Sequence, residues 1–180
     1  MDQPAREGMA IVVQPAEARS FWQPVPANGF VECFLDPSNV SSDTPFAMGR
    51  QTVAPGCHVR EHMHAEQEEI IHVIAGEATV LLDGVEYPAG PGTTVFLGKG
   101  RKHAFINRGS EPFTFVWVLM PGGLERFFAA IGRPRTQGEP APEPFPRPPD
   151  VAEIERRTVF GWADQSGRTP GGLRGQGCGR

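Results

Sequence analysis

The sequence predicts an all-β fold, a small barrel or sandwich of short antiparallel strands, on three observations. Glycine and proline number 22 and 19 in 180 residues, too many for a protein of long helices and without the strict period of collagen. Short apolar or alternating segments separated by turn residues recur from Ala10 to Met120, as antiparallel sheets demand. The hydrophobic share of 39% is enough for one packed core in a chain of this length.

Taken in order, the predicted strands are Ile11–Val13, Phe30–Leu35, Phe46–Val53, His58–His64, Glu69–Ala75, Ala78–Leu82, Val85–Tyr87, Thr93–Leu97, His103–Asn107 and Phe113–Leu119. Asp83-Gly84 between two of them predicts a tight hairpin, because this pair readily takes the positive φ angles of a type I′ turn. One helix is predicted over Gly122 to Ile131, where Leu124, Phe127, Phe128 and Ile131 repeat at i, i+3, i+4 and i+7. Gly132 and Pro134 stop it. Its aromatic stripe is read as a cover for the barrel rather than a cofactor contact.

Composition then changes. Pro134 to Pro149 holds seven prolines, which remove backbone donors and favour an extended path. Val151–Arg157 is expected to form a short helix, with Phe160 and Trp162 pinning the segment back onto the core. Ser166 to Arg180 carries six glycines, three arginines and no acid, and is expected to be a disordered tail. The chain therefore divides into a flexible N-terminus (1–9), a β-barrel with its C-terminal helix (10–132), a Pro-rich strap (133–165) and a Gly/Arg-rich tail (166–180). No internal repeat is present.

Several function classes are excluded or disfavoured. With 17 basic and 21 acidic residues the formal net charge is −4, unlike a general nucleic-acid binder, which needs a basic face to neutralise phosphates. No run approaches the roughly 18 apolar residues of a membrane helix, and Met1 to Ala10 lacks the basic and apolar regions of a secretory signal. Cys33, Cys57 and Cys178 are odd in number and far apart, so no disulfide framework is expected and a reducing cytoplasm fits best.

Histidine is scarce, five in all, which makes its placement informative. His62 and His64 flank Met63, so on a strand of period two both rings point to one face. Glu69 follows a short polar connection able to return a carboxylate to the same place, and His103 comes after the Gly98-Lys99-Gly100 turn. Three imidazole nitrogens and one carboxylate oxygen suit a divalent first-row metal with open positions for substrate. A closed structural zinc site would be richer in cysteine. Unpartnered in an apolar interior, each polar group would cost roughly 1–3 kcal/mol, and one cation offsets all four.

The other polar residues read more plainly. His58 is read as an ordinary strand-entrance residue, His72 as structural on the opposite face from Glu69, and Cys57 as an inert thiol near the barrel mouth. Arg50 is read as a solvated arginine, and Asn107 as satisfying backbone groups near the end of its strand. Phe105 and Trp117 line either a pocket for a flat aromatic molecule or a filled core.

These residues resemble the two motifs of the cupin superfamily. The first, G-x5-H-x-H-x3,4-E-x6-G, is matched by Gly56, His62, His64, Glu69 and Gly76. The second, G-x5-P-x-G-x2-H-x3-N, is matched by Gly92, Gly100, His103 and Asn107, with Gly98 in place of the proline. The resemblance implies a small jelly-roll β-barrel in which His62, His64, Glu69 and His103 hold one divalent transition metal ion: iron, manganese, nickel, cobalt or zinc. It also implies a homodimer.

Pro121 to Phe128 resembles the corresponding segment of bacterial quercetinase-type dioxygenases. On that resemblance the first expectation is a dioxygenase that uses O2 on a small chelating enol or hydroxy-carbonyl of flavonol-like, aromatic kind, with Glu69 as catalytic base. The second is a non-oxidative lyase or isomerase in which Glu69 or Tyr87 moves a proton. The third is a small-molecule-binding cupin without turnover. No helix-turn-helix or basic recognition segment is present.

Overall fold

The computed structural model describes residues 8–166 and Cys178. Its strands are β1 (Arg19–Trp22), β2 (Phe30–Leu35), β3 (Ala47–Val53), β4 (His58–His62), β5 (Glu68–Ala75), β6 (Ala78–Leu82), β7 (Val85–Ala89), β8 (Thr94–Leu97), β9 (His103–Ile106), β10 (Phe113–Met120) and β11 (Arg133–Pro134). The helices are α1 (Leu124–Ile131) and α2 (Val151–Arg157). A seven-stranded sheet in the order β11-β1-β2-β3-β10-β5-β8 faces a four-stranded sheet in the order β4-β9-β6-β7. Every pairing is antiparallel.

Alternation decides which side chains enter the core. Along β10, Phe113, Phe115, Trp117 and Leu119 are buried, and the residues between them are half-buried. Along β5, Glu69, Ile71 and Val73 point inward while Ile70, His72 and Ile74 face out. From the opposite sheet Val59, Val80 and Phe105 meet these residues, and α1 closes the interior with Leu124, Phe127 and Phe128. The predicted hairpin is present: Asp83 and Gly84 have φ of 46° and 84°, and Leu82 pairs with Val85. Gly76, at a φ of +75°, ends β5 where an added Cβ would lie 2.2 Å from Pro112 O.

The predicted strand at Ile11–Val13 is absent, and Val12 is 79% exposed. The N-terminal strand is instead β1, which pairs with β2 through Phe21 opposite Val31. Its other edge is covered by β11 from the start of the strap. The strap is thus partly sheet, and further along it buries Phe145, whose carbonyl accepts the Val25 N–H at 2.9 Å. Helix α2 spans the predicted residues, and Phe160 is buried as expected while Trp162 stays 40% exposed. The expected flexible N-terminus falls largely, and the Gly/Arg-rich tail almost wholly, outside the described residues.

The expectation that the cysteines form no disulfide is corrected. Cys57 is bonded to Cys178, across 121 positions of sequence. Such a distance leaves no trace in cysteine spacing, because the bond depends on the chain end returning to the start of β4. Among the described residues no helix is long and apolar enough to cross a membrane.

At Gly49 an added Cβ would lie 2.3 Å from both Glu32 O and the Trp117 indole. Gly49→Ala should therefore destabilise the fold by about 1–3 kcal/mol, seen as a lower urea midpoint with an unchanged m-value. Cys33 is the free, buried cysteine, and burial pushes its thiol up to about 12. It should resist alkylation at about pH 8 until the protein is denatured. Because the unfolded thiol ionises first, near pH 8.5, Cys33 should also weaken the native state as pH rises from there toward 12. A Cys33→Ala variant should lose that part of the alkaline slope in urea titrations.

Candidate metal centre

The two sheets bring His62, His64, Glu69 and His103 together. His62, the last residue of β4, stands directly opposite His103 at the start of β9, with ring centroids 4.1 Å apart. Glu69 enters from the other sheet, paired on β5 with Leu119 and Leu97. The strand predicted to run to His64 stops two residues earlier, so His64 lies just beyond the end of β4. There Met63 N–H donates to Trp162 O, and His64 O accepts the Gly100 N–H at 2.8 Å, so the chain leaves the sheet while its ring stays 5.1 Å from that of His62. The Gly98-Lys99-Gly100 turn thereby ties the His64 backbone to the loop that presents His103. Asp83 of the hairpin steadies that loop by accepting the Lys102 N–H at 3.0 Å and pairing with Arg101 at 2.6 Å.

Hydrogen bonds fix which face each imidazole presents. His62 Nδ1 lies 2.8 Å from Arg60 O, His64 Nδ1 lies 2.6 Å from Val159 O, and His103 Nδ1 lies 3.0 Å from Arg101 O. A carbonyl oxygen only accepts, so each Nδ1 must carry the proton and donate. In the neutral ring that leaves Nε2 as a lone-pair acceptor. One ring nitrogen of each histidine lies within 4.8 Å of the others, an arrangement that could hold a metal ion. Glu69 Oε2 is 3.4 Å from His64 Nε2 and 3.3 Å from His103 Nε2.

None of the four residues is more than 4% exposed, so water does not relieve them. His64 Nε2, His103 Nε2 and Glu69 Oε2 are buried without any hydrogen-bond partner. Acceptors facing acceptors in a dry interior are unfavourable, and a cation is what such a donor set accommodates. The ionisation tendencies of His62 and Glu69 agree. Burial, followed by His103 and His64, drives the His62 pKa well down, keeping that ring neutral. Burial would raise the Glu69 pKa, but His103 and His64 outweigh it and hold the carboxyl at about 2. For His64 burial works downward, and the neighbouring Glu69 carboxylate lifts the pKa above its ordinary value.

The other residues singled out from sequence lie elsewhere. His72 is on the outer face of β5 and bonds Thr94 Oγ1 at 2.8 Å. Tyr87 is 50% exposed on β7, at the sheet edge away from the histidines, so it is no partner in a proton transfer there. Arg50 pairs with the buried Glu32 at 2.6 Å instead of standing free in solvent. Asn107 donates to the carbonyls of Val53, Ala54 and Glu111, as expected. Phe105 and Trp117 are fully packed, which settles them as core.

His58 is buried rather than at an exposed entrance, and its Nε2 has no partner. Burial first, and then Arg60, push its pKa down to about 4. Sequence reading missed Arg60, whose buried guanidinium pairs with Glu155 of α2 and donates to Asp164 O at 2.9 Å. It also missed Val159, which acts through its backbone carbonyl and leaves no side-chain signal.

Comparison with known proteins agrees with this geometry. The profile of the cupin domain matches residues 49–119. The tetracenomycin polyketide synthase protein TcmJ of Streptomyces glaucescens is 30% identical over 123 residues, 68% of this chain and 78% of that protein. Protein SchB of Streptomyces halstedii is 35% identical over 93 residues, 52% of this chain and 67% of that protein. Among solved structures, the polyketide cyclase RemF from Streptomyces resistomycificus superposes with a TM-score of 0.55 at 22% identity, covering 63% of this chain and 80% of that one. On the profile match and the extent of the likeness to TcmJ, the chain belongs to the cupin family.

Proposed function

We propose that this cupin is a metal-dependent enzyme acting on a chelating enol or β-dicarbonyl of polyketide type, by proton transfer rather than oxygen insertion. The observation that carries the reading is the convergence of three Nδ1-anchored imidazoles and the Glu69 carboxylate in a dry interior. His62, His64, Glu69 and His103 are the ligands of one divalent transition ion. When bound, such an ion polarises a carbonyl and lowers the pKa of a chelating hydroxyl or enol.

The chain supplies the rest. The three backbone carbonyls that accept from Nδ1 orient the rings and raise their basicity. Glu69 is the carboxylate among the four ligands and takes the proton once its hold on the ion loosens, and the closed aromatic surroundings of Phe160 and Phe127 exclude water. The substrate class is supported by the likeness to a protein named for tetracenomycin polyketide synthesis. A carbonyl polarised by an ion beside a carboxylate able to take a proton needs no oxidant, and on that ground the reading is the non-oxidative chemistry rather than the dioxygenase expected from the Pro121–Phe128 segment.

Two outcomes are expected. Elemental analysis of purified protein should show His103→Ala depleted of metal by about tenfold or more, and His72→Ala at the level of the unaltered protein. Equal losses would mean that the ligand set is wrong. Aromatic β-dicarbonyls should be converted under anaerobic conditions at the aerobic rate, and His62→Ala should abolish conversion. Oxygen uptake matching turnover, absent in His62→Ala, would restore the dioxygenase reading.

A further inference from the structure

The segment after α2 is woven into the metal centre. Val159 O accepts from His64 Nδ1, Met63 N–H donates to Trp162 O at 3.0 Å, and Asp164 N–H donates to Glu61 O at 2.8 Å. Ala163 bridges His62. The Phe160 ring is stacked between His62, at 4.0 Å and 2°, and Phe127, at 4.1 Å and 13°. Lys102, next to His103, lies 4.4 Å from the Trp162 ring centre.

On the far side of Phe160 a small cleft bounded by His58, Arg60, Gln51 and Arg147 approaches the site, and Phe160 forms one of its walls. The four ligand residues are at most 4% exposed, and movement of this segment would open a path to them for a planar substrate. Both of its ends are held. Before it, Glu155 of α2 is paired with the buried Arg60. Fourteen residues beyond it, Cys178 is bonded to Cys57, one residue ahead of the strand that carries His62.

We propose that residues 159–164 form a gate over the metal centre, latched by the Cys57–Cys178 disulfide and released by a dithiol reductant. The proposal rests on the metal-centre reading for what the gate covers. A thiolate of the reductant attacks Sγ of Cys178, the partly buried residue of the pair, since Cys57 is buried. The S–S bond breaks, Cys57 leaves as a thiolate and takes up a proton. The second thiol of the reductant then displaces Cys178 from the mixed disulfide, so two electrons and two protons pass to the protein and the reductant becomes a disulfide.

Losing the cross-link restores conformational freedom to the opened segment, against which only noncovalent contacts remain. Opening takes Phe160 off His62, joins the cleft to the site, and withdraws Val159 O from His64. Access and ligand orientation therefore change together.

The test is amide hydrogen exchange on the full chain, oxidised and after dithiothreitol. The Met63 and Asp164 amides should exchange about tenfold faster after reduction, as a local opening would. They should exchange equally fast in Cys178→Ser with or without reductant. The Val73 amide, which donates to Thr93 O in the large sheet, should not change.

Unchanged exchange at Met63 and Asp164 would overturn the proposal, as would equal loss of protection at Val73. Three titratable thiols in unreduced, denatured protein would overturn it as well. In parallel, EDTA should strip cobalt(II) from loaded protein about tenfold faster after reduction, following the same opening. Protein that takes up no cobalt refutes the metal reading and leaves the exchange result to decide the gate.

Discussion

Proton acceptors facing one another inside a dry barrel are the constraint to which the rest of this structure answers. Each imidazole spends its Nδ1–H on a main-chain carbonyl, which leaves the inward nitrogens without a hydrogen to offer. Glu69 adds a carboxylate that its neighbours keep ionised despite burial. An unsatisfied buried acceptor costs about 1–3 kcal/mol, and three of them approach the whole stability of an ordinary domain, about 5–15 kcal/mol. Positive charge among the four would relieve that arrangement, and the proposed shared metal ion would do so more completely than a single proton on His64.

Register is what makes the convergence possible. His62 faces His103 across adjacent strands of the smaller sheet, and Glu69 sits between Leu119 and Leu97 on the larger one. A slip of one residue in β5 would turn Glu69 outward and His72 inward. The inward alternation of Ile71 and Val73 prevents that slip, because it would also expose both side chains. Hydrophobic patterning thus fixes the position of a charged group.

Much of this was legible in the sequence. Strand alternation predicted β2, β6 and most of β10 within a residue or two, and the His-x-His spacing with Glu69 and His103 named every group that meets in the interior. What escaped was information carried by long-range pairing. Arg19–Trp22 lacks alternation and is a strand only because β2 and β11 flank it. Ile11–Val13 is apolar yet finds no partner strand. The disulfide and the Arg60–Glu155 pair join positions whose proximity depends on the path of the strap, and the contribution of Val159 is a carbonyl that every residue possesses.

The division expected at Gly132 on composition separates the first ten strands from β11 and from the later segments that touch the histidines. All four candidate ligands lie before it. Yet His64 takes its orientation from Val159, His62 is covered by Phe160, and the buried charge of Arg60 is balanced by Glu155. A chain ending at Gly132 would leave Arg60 as an uncompensated cation in the interior and the His64 ring free to turn, so the same four residues would be present without the arrangement that makes them a site. Proline in the strap suits this task. After β11 has covered the edge of β1, a path short of backbone donors carries the chain back across the barrel to β4, where Ala163 bridges His62.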